Sequence, residues 1–177
     1  MNKPITGLLL GLLSFFYEIP TTLSANSLNV EFSGELIRTA CQVSSESLNQ
    51  KIPLYNLNSK FINEHKTSAV TPFSISIEKC SSTDLQKQIK ITWESNQLVN
   101  VSGHEFVVTQ GDSNILLGVI DNDEKPIIWN KPTTVDTVSV VENTQQIGFG
   151  VFVRKPATGE AKIGDFSGIV TFKVDYE

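Results

Sequence analysis

From Gly164 to Tyr176 a small or apolar residue stands at every second position: Gly164, Phe166, Gly168, Val170, Phe172, Val174 and Tyr176. Asp165, Ser167, Thr171, Lys173 and Asp175 fall between them, and Ile169 is the exception. A period of two belongs to a strand with one apolar and one polar face; a helix repeats its apolar stripe every three or four residues. At about 3.3 Å per residue this run predicts one strand of roughly 40 Å, long for a globular domain. Only Glu177 follows Tyr176, so the expectation is a strand with no tail to cover it.

The same alternation recurs along the chain. Leu28, Val30, Phe32, Gly34 and Leu36 are separated by Asn29, Glu31, Ser33 and Glu35. Phe73, Ile75 and Ile77 form a second set, and Ile89, Ile91 and Trp93 a third. Leu117-Gly118-Val119-Ile120 runs into Asp121-Asn122-Asp123-Glu124 and then Ile127-Ile128-Trp129, which reads as a hairpin around an acidic turn. Val135, Val138 and Val140 mark a less regular strand, and Ile147, Phe149, Val151 and Val153 a clear one. Gly103 and Gly111 are assigned to turns. Helix is confined to a turn or two over Asn58 to Lys66. Short strands with frequent turn signals predict an all-β sandwich, and no repeat or Pro/Gly-rich linker divides it.

The N-terminus sets the compartment. Lys3 precedes an apolar run from Ile5 to Tyr17, then Pro20, then Leu23-Ser24-Ala25. Charge, short apolar core and small residues in that order read as a secretory signal spanning 1–25, cleaved near Asn26. The run is about 13 residues, short of the roughly 20 that span a bilayer. Removing 25 of the 177 residues leaves about 152, enough for one domain with a sizeable core. A net charge of −5 argues against a nucleic-acid partner, which calls for a basic patch.

Two cysteines, Cys41 and Cys80, remain in the mature part. In an exported chain an even count suggests a disulfide. Free thiols or metal ligation are the alternatives, but neither His65 nor His104 stands at ligand spacing from a cysteine. Closing a loop of about 40 residues stabilises by roughly 4 kcal/mol in the chain-entropy model.

No nucleophile–base pair or Gly-rich phosphate loop stands out, so no enzyme, cofactor or small-molecule substrate is expected. Asp121, Asp123 and Glu124 lack the spaced ligand set of a calcium loop and read as a solvated turn; no metal site is assigned. Asn100-Val101-Ser102 forms an N-glycosylation sequon, without consequence if the chain is bacterial.

The C-terminal run resembles the closing motif of chaperone–usher pilins, the subunits of bacterial fimbriae. That pattern has a glycine fourteenth from the end, alternating apolar residues and a penultimate tyrosine; Gly164 and Tyr176 match both positions. Thr39-Ala40-Cys41-Gln42-Val43 and Ile77-Glu78-Lys79-Cys80 are similar to the family's two cysteine regions, and Gly34 stands seven residues before Cys41 as a donor-strand glycine does. Leu116 to Asp121 and Ile147 to Val151 are similar to family strands. Val43 to Asn49 and the short N-terminal arm are most like a minor tip-adaptor pilin of the P-pilus type.

The resemblance implies an incomplete immunoglobulin-like β-sandwich lacking its final strand, completed by a donor strand from a chaperone or a neighbouring subunit. It divides the mature chain into a donor-strand arm, 26–37, and a pilin domain, 38–177. Leu28, Val30, Phe32, Gly34 and Leu36 become the donor face, and the alternating residues from Gly164 to Tyr176 border the groove that chaperone and donor enter. The Cys41–Cys80 bridge braces the sandwich. Burying the four large donor side chains is worth on the order of 6–12 kcal/mol before entropy costs, and a one-residue slip turns all of them to solvent. Implied partners are a periplasmic chaperone, an outer-membrane usher and neighbouring subunits, and the implied destination is a fimbrium on the bacterial surface. Tip adaptor, rod subunit and terminator are the possible positions, with a single-domain adhesin as the binding-module alternative.

Overall fold

The computed structural model describes residues 41–177. The signal segment, its cleavage site and the arm residues Leu28, Val30, Phe32, Gly34 and Leu36 lie outside the described residues.

In chain order the elements are β1 (Gln42–Val43), α1 (Ser45–Leu48), α2 (Ser59–His65), β2 (Thr71–Glu78), a 3₁₀ turn (Ser82–Asp84), β3 (Gln88–Glu94), β4 (Leu98–Val101) and β5 (His104–Val108). They continue with β6 (Gln110–Gly111), β7 (Leu116–Asp121), β8 (Thr133–Thr137), β9 (Gln145–Arg154), β10 (Phe166–Ser167) and β11 (Thr171–Tyr176). A six-stranded sheet runs β1-β2-β9-β7-β5-β4 and a three-stranded sheet runs β11-β3-β8, while β10 pairs with β6. Every pairing between these strands is antiparallel.

The alternating residues fill the space between the sheets. Ile75 and Ile77 of β2, Ile147, Phe149 and Val153 of β9, and Ile89, Ile91 and Trp93 of β3 belong to one buried cluster. Trp93 is its hub: its ring meets Phe149 edge-on at 5.1 Å, Phe73 at 6.0 Å and Phe172 at 5.5 Å. Edge-to-face aromatic pairs of this kind add to the area buried.

β7 is apolar without alternation because both its faces are covered. Leu117 and Val119 join the main core, while Leu116 packs with Val101 and Phe106 in a second cluster against Phe152. Gly118 is paired with Phe152, whose ring atoms lie 2.4 Å from where a Cβ at Gly118 would stand.

Cys41 and Cys80 form a disulfide with their Cα atoms 4.3 Å apart. Both are buried, and the bond staples β1 to the end of β2, where Gln42 pairs with Glu78. The chain then turns through α1, capped by Ser44, which accepts the Ser47 amide. Ser47 Oγ in turn accepts the Ser76 amide at 2.9 Å and ties α1 to β2.

Several sequence expectations need correction. The acidic turn after β7 exists: Asp121 Oδ1 accepts the amides of Asp123 and Lys125 at 2.9 and 2.8 Å. The predicted return strand does not. After Ile127 donates to Val119, Ile128 turns outward and Trp129 bridges in parallel to Trp93 of the opposite sheet. Burial of the Trp129 indole, which donates to Glu105 O at 3.0 Å, pulls the chain across. Ser102 and Gly103, with φ of 56° and 88°, form the tight β4–β5 hairpin turn, as primed turns require. Gly103 is thus a turn glycine as expected, but Gly111 lies within β6.

Candidate functional site

The alternating C-terminal residues converge on one edge of the small sheet. β11 pairs with β3 so that Phe172 lies across from Trp93, Val174 from Ile91 and Tyr176 from Ile89. Directly opposed residues share a sheet face, so these three look into the sandwich. Glu177 and Gln88 extend the ladder by exchanging backbone hydrogen bonds, and the Lys90 ammonium contacts the Glu177 carboxylate.

Their burial is unequal. Ile89 and Ile91 are fully buried and Trp93 is 4 % exposed, whereas Phe172, Val174 and Tyr176 are half-buried. Phe166 and Val170, also half-buried, pack against the same core. Among the described residues β11 is paired on its β3 side alone and ends its sheet. The row is thus inward-facing and half-exposed at an edge that is unpaired among the described residues.

The C-terminal run is not the single long strand expected. It is broken at 168–170 into β10 and β11, for two reasons. β3 ends at Glu94, where Asn130 clamps the following turn by accepting the Ser95 amide and donating to Ser95 O. Upstream of Thr171 the run therefore has no β3 partner and crosses to β6, pairing Phe166 with Gly111. At the crossing a Cβ on Gly168 would stand 2.2 Å from Leu117 Cδ1. Gly164 sits outside the strands, in a bend against the Asp112–Ser113 backbone.

Gly111 is the residue that sequence reasoning misassigned. Its φ is +106° and a Cβ there would approach Asp165 O to 2.2 Å. It permits a close backbone approach that sets the height of β10. Further back, Asn63 holds the run by exchanging two hydrogen bonds with Ala161, at 3.0 and 2.8 Å.

Residues 51–57 follow α1 without joining a sheet. Ile52, Leu54 and Leu57 are half-buried against the core, alternating with exposed Lys51, Pro53 and Tyr55. Leu57, Ile62, Ile115 and Phe166 line a cavity of about 180 Å³ near the start of β10.

At the far end of β11 the Tyr176 hydroxyl is buried with no hydrogen-bond partner among the described residues. Burial, with the Asp84 charge second, pushes its pKa up to about 12. Asp84 is fixed by its own partners: it accepts Ser81 Oγ at 2.6 Å, the Ser81 amide at 2.8 Å and Lys87 Nζ at 2.9 Å. The Ser81 hydroxyl is the largest of the effects that lower its pKa to about 2. Both groups are structural in setting: one closes the 3₁₀ turn and the other packs beneath the strand end.

The family model for "Fimbrial protein" matches residues 30–177. The chain belongs to the fimbrial protein family. It is therefore a structural subunit of surface fimbriae rather than a catalyst. Among relatives of this fimbrial subunit, the major MR/P fimbria protein of Proteus mirabilis is 23 % identical over 148 residues, covering 84 % of this chain and 83 % of that one. The fimbrial adapter PapK of Escherichia coli is 26 % identical over 159 residues, covering 84 % and 87 %. In fold, the subunit is similar to the P pilus rod subunit PapA, with a TM-score of 0.62 and 19 % identity over 78 % of this chain and all of the other. The immunoglobulin-like sandwich of pilins is thus the fold of this subunit.

Proposed function

We propose that this fimbrial subunit is completed by β-strand addition along the free edge of β11, first by a periplasmic chaperone and then, at an outer-membrane usher, by the arm of the next subunit. Its own arm, carrying Leu28, Val30, Phe32, Gly34 and Leu36, serves as donor to its other neighbour. One observation carries this reading: Phe172, Val174 and Tyr176 face a buried row on β3 yet stay half-exposed at an edge unpaired among the described residues. Completing the burial of these three with Phe166 and Val170 is worth roughly 4–8 kcal/mol before ordering costs. Main-chain hydrogen bonds to β11 then fix the register.

Within the fibre, we infer a minor, tip-adaptor position in a fimbria that serves cell adhesion. The character of Val43 to Asn49, which includes α1, and the similarity to a fimbrial adapter support it. A rod position is the second reading, favoured by similarity to major fimbrial subunits. The cavity beside Phe166 favours a subunit that accepts a donor over a terminator that refuses one.

The chaperone-bound subunit mixed with synthetic arm peptides from the subunits encoded beside it tests both levels. Displacement of the chaperone by one peptide is expected, and the identity of that peptide assigns the position. Refusal of every arm makes the subunit a terminator. Normal fibre incorporation of a chain lacking 26–37 would sink the donor-arm reading.

A further inference from the structure

β11 has an outer face as well as its inward row. Phe172, Val174 and Tyr176 look into the sandwich, so Thr171, Lys173 and Asp175 stand on the outer side, directly across from Glu94, Thr92 and Lys90 of β3. Lys173 is exposed and donates to Asp175 at 2.9 Å. Asp175 is the largest of the influences that raise the Lys173 pKa, and the Glu94 charge adds to it. Lys90 contacts the exposed Glu177 carboxylate. Two ammonium groups, Lys90 and Lys173, thus serve three carboxylates, Glu94, Asp175 and Glu177. The outer face keeps a surplus negative charge, and Lys173 is already shared between two acids.

The subunit's own arm is acidic at the matching positions. Leu28, Val30, Phe32, Gly34 and Leu36 are separated by Asn29, Glu31, Ser33 and Glu35. A strand that turns the first set into the groove turns the second set to the outer side, because its period is two. Whatever the register, those outward positions bring two carboxylates, Glu31 and Glu35, and no cation. Like charges on neighbouring strands destabilise the pairing, and each incoming carboxylate must compete with Asp175 and Glu94 for Lys173.

We propose that the outer face of β11 sorts donors by charge, disfavouring this subunit's own arm and favouring an arm from a different subunit with basic residues at the outward positions. This sorting rests on strand addition at β11. It discourages one copy from adding directly to the next, as a minor position in the fibre requires.

The test measures how fast synthetic arms displace the chaperone from the chaperone-bound subunit. One arm has the native sequence of 26–37. A charge-reversed arm carries Glu31→Lys and Glu35→Lys, and a control arm carries Phe32→Asp, which interrupts the apolar face. At about 25 mM sodium chloride the charge-reversed arm is expected to act roughly fivefold faster than the native one. At about 500 mM the two should differ by less than about twofold, because exposed charges are screened. A subunit carrying Glu94→Gln and Asp175→Asn is expected to accept the native arm roughly threefold faster at low salt. The control arm should displace nothing. Equal rates for the native and charge-reversed arms at low salt overturn the sorting, as does a gap that ignores salt or the two subunit substitutions; strand addition still stands in those cases if the control arm is inactive. Native and charge-reversed arms no more active than the control overturn strand addition at β11 and the sorting with it.

Discussion

Val174 lies directly across the sheet from Ile91 on the same inward face, yet Ile91 is fully buried and Val174 only half-buried. The two residues sit on neighbouring strands of one sheet; what differs is that, among the described residues, β3 has a strand on each side and β11 on one. Val174→Asp therefore places a charge where a completing strand would seal it, and fibre incorporation is expected to fall at least tenfold. Val174→Ala is expected to cost only about 1 kcal/mol. Lys173→Ala, on the outward face, should leave incorporation unchanged. Immunoblots of fimbriae sheared from cells read all three.

The disulfide joins residues 39 apart and holds the short β1 against β2. Replacing Cys41 and Cys80 by Ser is expected to lower unfolding stability by roughly 2–5 kcal/mol. Urea denaturation of the purified subunit, with and without reductant, measures it; the reduced wild-type chain should match the double variant.

Asp84 gives the subunit an acid-sensitive component. Its folded pKa of about 2 lies below the roughly 3.9 of an unfolded aspartate. The contribution is therefore fully present above about pH 4 and is lost as pH falls toward 2. Asp84→Asn should be less stable than wild type at pH 7, and the gap should narrow below about pH 4 and close only below about pH 2. Urea midpoints at pH 7, 4 and 2.5 follow the convergence; a gap constant with pH would refute the assignment.

Two glycines of the C-terminal crossing differ in what a methyl group would meet. At Gly111 it meets the Asp165 carbonyl oxygen, at a φ of +106°. At Gly168 it meets the end of the Leu117 side chain, which can rotate. Gly111→Ala is expected to cost about 2 kcal/mol or more, and Gly168→Ala less. Thermal denaturation of both variants checks the order.

The Tyr176 hydroxyl is buried without a partner among the described residues, where it adds a desolvation cost and no hydrogen bond. Tyr176→Phe is expected to leave the unfolding midpoint unchanged or raise it, by up to about 1 kcal/mol. A marked fall would show that the hydroxyl has a partner.

Most strands were legible because their environment is asymmetric. β2, β3, β9 and β11 each turn one face to the core, and the alternation of Phe73, Ile89, Ile147 and Phe172 with polar neighbours records it directly. Where burial departs from that pattern the reading failed. β4 and β5 were missed because Val101 and Phe106 pack in the second cluster, on the far face of the large sheet. The return after the acidic turn was mistaken for a hairpin strand because an apolar run does not say which sheet it serves. The inward face of the C-terminal run was readable from its period, whereas its place at a groove came only from the resemblance to pilins, and its break at 168–170 was not readable.

By itself the sequence determined the β character of the chain, the cysteine pair available to form the bridge, and which C-terminal side chains share a face. Those properties are local: they follow from a two-residue period and from residue chemistry. Only the tertiary structure decided that Trp129 leaves its hairpin for Trp93, that Gly111 makes room for Asp165, and that the inward row of β11 is left half-covered. Each of these depends on which backbone comes within a few ångströms of which other, and no residue carries that information in its own neighbourhood of the chain.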